Sequence, residues 1–315
     1  MSEPYVRPDV RAFLEYYNRL PGPRAHEVGA REARLMIVAA RHVSDAPVGE
    51  LAVIRDLSCP GPDGEIGLRL YDARERRAAG PLLLFFHGGG FVFGDLDTHE
   101  PFCAEIARQL DLPVLAVDYR LAPEHPFPAG AEDCIAAARW AAGGPAELGR
   151  EITGLVTAGD SAGGNFTLVV GLALRDEPAA LPVFAQWPIY PAADPANGYP
   201  SFEDFSEGWF LSRDGMRWFD GCYRPDKADW RYAPLLKSQA GMPPTLVQTA
   251  SLDPVRDQGR AYAAACAEAG VPVIFLEARG NIHGFINLRR AIPSSQGDID
   301  AGCGALKLIL KEFRP

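Results

Sequence analysis

A serine flanked by glycines is the first indication of chemistry in this sequence. Ser161 lies in the segment GDSAG at 159–163, which matches the pattern G-x-S-x-G. An apolar run at 154–158 precedes it, and a stretch typical of a helix follows it. A strand, a sharp turn and a helix in this order expose a serine hydroxyl at the edge of a sheet, where it can act as a nucleophile. Glycine is needed on both sides because a Cβ there would collide with neighbouring backbone.

A glycine-rich segment provides the second element of this chemistry. The sequence HGGG at 87–90 directly follows an apolar run that is predicted to be a strand. Consecutive glycines let the backbone turn its amides toward one point, where they can bind a developing oxyanion. We expect the amides of Gly88 and Gly89 to do this together with the amide of Ala162, which opens the helix after the serine. His87 is then a hydrogen-bonding brace for this loop rather than a base.

An acid and a base that can serve the serine follow later in the chain. A serine hydroxyl needs a base to accept its proton and an acid to orient the base, and in this fold pattern the acid precedes the histidine. His283 is the only histidine after Ser161. Asp253 directly follows a predicted strand, whereas Asp257 lies four residues further on, inside a predicted helix. The sequence therefore favours Asp253 as the acid and leaves Asp257 as its rival.

Short apolar runs alternate with helical patterns from residue 51 onward, which predicts a mostly parallel sheet with helices on both faces. Several runs, such as LLLFF at 82–86, are apolar throughout, as expected for strands buried on both faces. The predicted strands are 51–57, 66–71, 82–86, 114–117, 155–158, 183–187, 245–249 and 273–276. The predicted helices between them are 101–110, 129–141, 162–174, 257–269 and 298–312. We expect the first two strands to pair antiparallel at one edge.

Two segments fall outside this alternation. Residues 1–48 precede all predicted strands and contain two helical patterns. Residues 191–240 separate two strands and are rich in aromatic side chains, so a structureless loop is improbable there. We expect a catalytic domain formed by 49–190 and 241–315, with a helical cap formed by 1–48 and part of 191–240. Peripheral helices that only cover the sheet are the alternative.

The motifs and their order resemble the hormone-sensitive-lipase-like family of α/β-hydrolases, also called bacterial family IV esterases. The resemblance rests on HGGGF at 87–91, YRLAPEHPFPA at 119–129, GDSAGGN at 159–165, LDPVRDQG at 252–259 and IHGF at 282–285. It implies an α/β-hydrolase fold with an eight-stranded sheet and a helical cap, and a triad of Ser161, Asp253 and His283. It also implies hydrolysis of short-to-medium acyl esters without a cofactor, and a bracing role for residues 119–124 behind the oxyanion loop.

Two positions depart from the family pattern. Gln258 stands where an acid is common, and Asn281 stands where an apolar residue is common before the histidine. Neither change removes a group that the reaction needs, although Asn281 can alter the hydrogen bonding around His283.

The substrate pocket is predicted from residues next to the motifs and in the expected cap. We expect it to be narrow and to suit acyl groups from acetyl to hexanoyl. Its predicted lining is Phe91, Phe93, Asp160, Trp187, Tyr190, Trp209, Phe210 and Phe285. Packing in the core is the alternative for each aromatic side chain. The alternative functions are an amidase or arylformamidase with the same triad and, less favoured, a non-catalytic small-molecule receptor on the same scaffold.

Composition and charge argue against other classes of function. The 315 residues carry 31 Lys and Arg against 41 Asp and Glu, and the net charge of −10 argues against nucleic-acid binding. No apolar stretch approaches the ~20 residues of a membrane span. The six cysteines contain no C-x-x-C pair, and no metal-binding or nucleotide-binding spacing is present; Thr98-His99-Glu100 predicts a helix start. We expect a cytoplasmic enzyme without metal or cofactor that acts on a small ester, and the sequence permits a homodimer.

Overall fold

Eight strands form one sheet in the computed structural model, which describes residues 3–313. The strands are β1 (Val53–Gly61), β2 (Gly64–Asp72), β3 (Gly80–Phe86), β4 (Val114–Asp118), β5 (Ile152–Asp160), β6 (Val183–Ile189), β7 (Thr245–Leu252) and β8 (Val273–Ile282). Their order across the sheet is β1-β2-β4-β3-β5-β6-β7-β8. β2 pairs antiparallel with both β1 and β4, and the remaining pairs are parallel. The predicted parallel sheet and its antiparallel edge pair are confirmed.

Helices cover both faces of this sheet. Within residues 3–313 the α-helices are α1 (Pro8–Arg19), α2 (Ala30–Ser44), α3 (Glu100–Leu110), α4 (Ala129–Ala142), α5 (Ala162–Asp176), α6 (Pro200–Phe205), α7 (Arg213–Tyr223), α8 (Arg256–Glu268) and α9 (Ser295–Phe313). Helices α4, α5 and α8 pack on one face of the sheet, and α3 and α9 pack on the other. The five helices predicted between strands are present, with ends shifted by at most three residues. None of the described helices is long and apolar enough to cross a membrane.

The central strands are apolar throughout because each of their faces meets a helical layer. In β3, Leu82, Leu84 and Phe86 point into the core beside α4 and α5. Leu83 and Phe85 point into the core beside α3 and α9. Successive side chains of a strand alternate between the two faces of the sheet, so a strand covered on both faces has no polar position in this stretch.

Three strands that lead to the predicted site residues are longer than the sequence indicates. β5 ends at Asp160, β7 at Leu252 and β8 at Ile282, whereas the predicted strands end at 158, 249 and 276. β8 is the last strand of the sheet, and solvent reaches residues such as Arg279. Polar residues are tolerated there, so hydrophobicity does not show where β8 ends.

The N-terminal segment 3–48 packs against the segment 191–240. Phe210 contacts the rings of Phe13 and Tyr17 on α1, with centroids 5.7 and 4.9 Å apart. Side chains from α1, α6 and the turn after α6 also share one apolar cluster with the end of β8. The two segments that fall outside the β/α alternation therefore form one contiguous helical layer.

Candidate active site

Ser161 lies at the sharp turn between β5 and α5. Its φ of 56° and ψ of −115° fall in a region that L-residues rarely adopt, which costs about 1–3 kcal/mol. A Cβ at Gly159 would overlap the carbonyl oxygen of Gly163, and a Cβ at Gly163 would overlap that of Phe86. The expected need for glycine on both sides of the serine therefore has a direct steric cause.

A continuous chain of hydrogen bonds links Ser161 to Asp253 through His283. Oγ of Ser161 is 2.9 Å from Nε2 of His283, and Nδ1 of His283 is 2.8 Å from Oδ2 of Asp253. Asp253 is fully buried, and its Oδ1 accepts a 2.9 Å bond from the amide of Val255. The three groups follow the carboxyl ends of β5, β7 and β8, which meet at the same edge of the sheet. The structure thus brings together the three residues predicted from the sequence.

The rival carboxylate is engaged elsewhere. Asp257 lies in the first turn of α8, where its Oδ1 is 2.8 Å from Nε of Arg256 and 3.2 Å from Nη1 of Arg260. Its Oδ2 accepts a 3.0 Å bond from the amide of Ser201. The geometry brings Asp253, and not Asp257, to the imidazole.

The amides around the serine differ from the prediction at one position. The amide of Gly88 donates a 2.7 Å hydrogen bond to Oδ1 of Asp160, so the prediction that it is free to bind an oxyanion is wrong. The amides of Gly89 and Gly90 have no acceptor in the described part of the chain, and both residues line the same cavity as the serine. Their φ angles of 122° and 60° suit glycine. Together with Ala162, whose amide opens α5 and has no intrahelical acceptor, they provide the free N–H groups of the site.

His87 supports the glycine loop from behind. Its ring stacks on that of Tyr119, with centroids 4.2 Å apart, and its Nδ1 is 2.9 Å from the carbonyl oxygen of Gly88. The hydroxyl of Tyr119 donates a 2.7 Å bond to the carbonyl oxygen of His87. Burial and the nearby His99 lower the pKa of His87 to about 4, so its ring is neutral at pH 7. These contacts fit the brace predicted for His87.

Asp160 places a buried carboxylate beside the serine. Burial raises the pKa of this carboxyl, but the His99 ring and the Gly88 amide outweigh burial and hold the pKa below its ordinary value. Oδ1 of Asp160 is 3.2 Å from Nε2 of His99. The predicted helix start is correct, since His99 directly precedes α3, but sequence reasoning missed the side chain as part of the site. No local pattern shows that it reaches a residue 61 positions away.

Ser161 opens into a cavity of about 1080 Å³. Of the residues predicted to line the pocket, Phe93, Asp160 and Phe210 do so. Further apolar lining comes from α1, α2 and α7, and includes Phe13, Tyr16, Tyr17, Met36, Ile37, Trp218 and Phe219. Sequence reasoning missed this second group because helical periodicity reveals an apolar face without showing what lies opposite it. The cavity volume lies at the upper end of the usual range of ~300–1,000 Å³ for small-molecule sites, and the narrowness of the pocket beside the serine stays a prediction.

Three aromatic residues predicted for the pocket lie in the core instead. Trp187, Tyr190 and Phe285 are fully buried and do not line the cavity. Trp187 faces the core beside α9 rather than the edge of the sheet. There its Nε1 donates a 3.2 Å bond to Oε1 of Gln248. Tyr190 packs behind the imidazole of His283, with ring centroids 4.6 Å apart. These side chains support the site from within the core.

Two other predicted pocket residues also face away from the cavity. Phe91 stacks on Tyr223 of α7, with centroids 4.0 Å apart. Trp209 packs edge-to-face on Phe205 of α6, at 5.5 Å. Each finds an aromatic partner from the 191–240 segment, and their assignment to the pocket is therefore corrected.

The two departures from the family pattern make their hydrogen bonds away from the imidazole. Nδ2 of Asn281 donates a 2.8 Å bond to Oδ2 of Asp298 on α9. Oε1 of Gln258 accepts a 3.0 Å bond from the amide of Asp194. Asn281 therefore ties the end of β8 to α9, and its expected effect on the hydrogen bonding around His283 stays a prediction.

Comparison with known proteins relates this chain to ester hydrolases. The family described as alpha/beta hydrolase fold matches residues 83–287. The carboxylic ester hydrolase LipN of Mycobacterium tuberculosis is 42% identical over 245 residues, which cover 75% of this chain and 65% of LipN, just under two thirds of its length. The ethyl acetate hydrolase of Pseudomonas putida is 33% identical over 301 residues, 92% of this chain and 95% of that protein. The crystal structure of a mutant alpha/beta hydrolase enzyme from the metagenome of Lake Arreo, Spain, is 36% identical, with a TM-score of 0.92 over 96% of this chain and 98% of that one.

The family match covers more than half of the chain and contains the glycine loop, Ser161, Asp253 and His283. Relatives that are carboxylic ester hydrolases or esterases match most of its length. The chain belongs to the alpha/beta hydrolase fold family and, within it, to the carboxylic ester hydrolases that resemble hormone-sensitive lipase.

Proposed function

We propose that this protein is a serine carboxylesterase that hydrolyses short-to-medium acyl esters through an acyl-enzyme intermediate. The observation that carries the proposal is the chain of contacts from Asp253 through His283 to Ser161, at 2.8 and 2.9 Å, at the wall of a large cavity. A nucleophile, a base, an orienting acid and free amide donors in one site are the groups that two-step acyl transfer requires.

In the first step, Ser161 attacks the ester carbonyl carbon while Nε2 of His283 accepts the hydroxyl proton. Asp253 accepts the Nδ1–H bond, which fixes the imidazole tautomer and stabilises the imidazolium that forms. The tetrahedral intermediate then collapses, and the leaving alcohol takes the proton from Nε2. The acyl group remains on the Ser161 oxygen.

The negative charge of the tetrahedral intermediate falls on the former carbonyl oxygen. We assign the amides of Gly89, Gly90 and Ala162 as its donors, because all three are free of other acceptors in the described chain. In the second step a water molecule, deprotonated by the same imidazole, attacks the acyl carbon. The bond to the Ser161 oxygen then breaks, that oxygen takes the proton back from Nε2, and the carboxylic acid leaves. The same amides bind the oxyanion in both steps.

A methyl group on Gly89 is expected to lower kcat by about 10²- to 10³-fold, the effect of losing an oxyanion donor. Its φ of 122° disfavours any L-residue, and the new Cβ would overlap the backbone oxygen of Phe93, so the loop must shift. Gly304→Ala is the matched control, because a Cβ there meets no atom within 4 Å. The measurement is kcat per titrated active site with p-nitrophenyl butyrate. Wild-type kcat in Gly89→Ala would contradict the assignment of these amides.

The preference for short-to-medium acyl groups is supported by an aromatic wall next to the histidine. A Cβ on Gly284, directly after His283, would lie 3.2 Å from the ring of Phe210. Phe210 is itself held against the rings of Phe13 and Tyr17. This cluster lines the cavity on the imidazole side, and one relative is named for hydrolysis of ethyl acetate, a short ester.

A series of p-nitrophenyl esters from acetyl to dodecanoyl tests this preference. We expect the highest kcat/KM between acetyl and hexanoyl, with a decline beyond that, because longer chains must displace the aromatic wall. Ser161→Ala measures the background of uncatalysed and nonspecific hydrolysis for each ester. A maximum at dodecanoyl would contradict the proposed acyl range, although it would leave the serine mechanism intact.

Amide cleavage is the second candidate, since the same constellation serves both reactions. The named carboxylic ester hydrolases among the relatives favour the ester. The two activities are compared by measuring kcat/KM for the p-nitrophenyl ester and the p-nitroanilide of the same acid. We expect the higher kcat/KM for the ester. A non-catalytic receptor is disfavoured because the nucleophile, the base and the acid are all present at hydrogen-bonding distance.

The division into core and cap is part of the proposal. Side chains of α1, α2 and α7 line the cavity into which Ser161 opens, which supports a cap formed by 1–48 and part of 191–240 over a core of 49–190 and 241–315. A cytoplasmic location is supported by six unpaired cysteines, five of which are buried.

A further inference from the structure

A second histidine lies in the wall of the cavity, outside the Asp253–His283–Ser161 chain. His99 directly precedes α3, is 5% exposed and lines the cavity together with Asp160. Its Nε2 is 3.2 Å from Oδ1 of Asp160 and 2.9 Å from Nδ2 of Asn287. The mechanism above gives neither side chain a role.

The carboxylate of Asp160 is joined to the oxyanion loop. Its Oδ1 accepts the 2.7 Å bond from the amide of Gly88, and its Oδ2 lies 3.4 Å from the hydroxyl of Tyr190. A Cβ at Gly88 would overlap Oδ2 of Asp160, so the carboxylate rests directly on the loop backbone. Across residues 3–313, no Lys or Arg nitrogen lies within 4.0 Å of this carboxylate, and His99 is its one basic partner at that distance.

The hydrogen bonds around His99 indicate which atoms of its ring donate. The hydroxyl of Thr98 donates a 3.0 Å bond to the carbonyl oxygen of Asp95, so it receives a hydrogen from Nδ1 of His99, which lies 3.0 Å away. Nε2 faces the carboxylate of Asp160. An acceptor thus faces each of the two ring nitrogens.

Asn287 fits the same assignment. As placed, its Nδ2 faces Nε2 of His99, while its Oδ1 is buried without a partner. The two ends of an amide are assigned from their hydrogen bonds, and turning this one by 180° directs the unpartnered oxygen to the Nε2–H. Because Asn287 lies four residues after His283, His99 contacts both the oxyanion side and the histidine side of the site.

We propose that His99 and Asp160 are a positioning pair for the oxyanion loop. The Nε2–H of His99 fixes the carboxylate of Asp160, and that carboxylate holds the amide of Gly88. The orientation of the next two amides, those of Gly89 and Gly90, depends on that bond because they continue the same short loop. The inference rests on the proposed function, because the amides that this pair orients are the oxyanion donors of that reaction.

The test compares His99→Ala with His99→Gln, which keeps an N–H donor at this position. Asp160→Asn removes the charge of the pair at nearly constant size. His125→Ala is the matched control, because His125 is an exposed histidine outside the cavity. For each variant, kcat and KM are measured with p-nitrophenyl butyrate per titrated active site, and Tm is recorded. The inhibition constant is measured for an alkyl trifluoromethyl ketone, which forms an oxyanion on the serine.

His99→Ala and Asp160→Asn are expected to lower kcat about 10- to 100-fold, the range for misplaced reacting groups, with KM changed by less than about threefold. The inhibition constant of the ketone rises in parallel with the loss of kcat/KM. His99→Gln recovers part of kcat, and His125→Ala resembles the wild type. A purely structural role would instead lower the titre of active sites and Tm, with unchanged kcat per titrated site.

The positioning role is overturned if His99→Ala keeps kcat per site within about threefold of wild type, or if ketone affinity does not follow kcat/KM. Should Asp160→Asn fail to fold, His99→Ala alone decides. If Ser161→Ala retains ester hydrolysis, the proposed function itself fails. If Ser161→Ala loses ester hydrolysis but His99→Ala keeps the wild-type kcat, the positioning role fails and the serine mechanism stands.

Discussion

Ser161→Ala is expected to lower kcat for p-nitrophenyl butyrate by about 10⁴- to 10⁶-fold, with little change in KM. The serine oxygen, 2.9 Å from Nε2 of His283, is the atom that forms the bond to the acyl carbon in this account. The remaining rate comes from the oxyanion donors and from substrate binding, which persist without the hydroxyl. Alanine keeps the same Cβ, so the backbone at the turn and the fold are expected to be unchanged.

Ser58→Ala is the matched control for this substitution. Ser58 is exposed on β1, at the far edge of the sheet from β7 and β8, and its loss is expected to leave kcat unchanged. Circular dichroism and Tm show whether both variants fold as the wild type does. A folded Ser161→Ala enzyme with kcat within about tenfold of wild type would exclude Ser161 as the nucleophile.

Asp253→Asn is expected to lower kcat by about 10⁴-fold while the protein remains folded. In the wild type, Oδ2 of Asp253 accepts the Nδ1–H of His283 at 2.8 Å, which leaves Nε2 free to take the serine proton. An asparagine can present an N–H to Nδ1, and the ring then carries its proton on Nε2, the wrong atom for a base. The buried carboxylate would also no longer stabilise the imidazolium.

The neighbouring carboxylate provides a direct comparison for this loss. Asp257→Asn removes the same charge four residues away, where Asp257 pairs with Arg256 and Arg260 on α8. We expect kcat to stay within about threefold of wild type, because the ion pairs on this helix do not reach the imidazole. A larger loss in Asp257→Asn than in Asp253→Asn would reverse the assignment of the acid.

The sheet and the residues Ser161, Asp253 and His283 were predictable because the sequence patterns that indicate them are local. The apolar run of β3 predicts a buried strand, and the glycines around Ser161 predict a sharp turn, each from only a few residues. The order of acid and histidine follows from parallel strands whose carboxyl ends share one edge. Asp253 and His283 could therefore be selected without any knowledge of long-range contacts.

The errors concern features set by contacts between distant residues. Which glycine amide is free depends on the bond from Gly88 to Asp160, 72 positions apart. Whether an aromatic side chain faces the cavity depends on its partner, as when Phe91 stacks on Tyr223. His99 likewise enters the site through Asp160, and its sequence neighbours indicate only a helix start.

The central claim is that the acyl group passes through the oxygen of Ser161, and the location of the covalent intermediate tests it most directly. The enzyme is mixed with p-nitrophenyl acetate, quenched with acid during turnover, digested and mapped by mass spectrometry, with Ser161→Ala treated in parallel. We predict one acetyl group on Ser161 in the wild type and none on that peptide in Ser161→Ala. Acetylation of another side chain during turnover, such as the half-buried thiol of Cys222, would contradict the account.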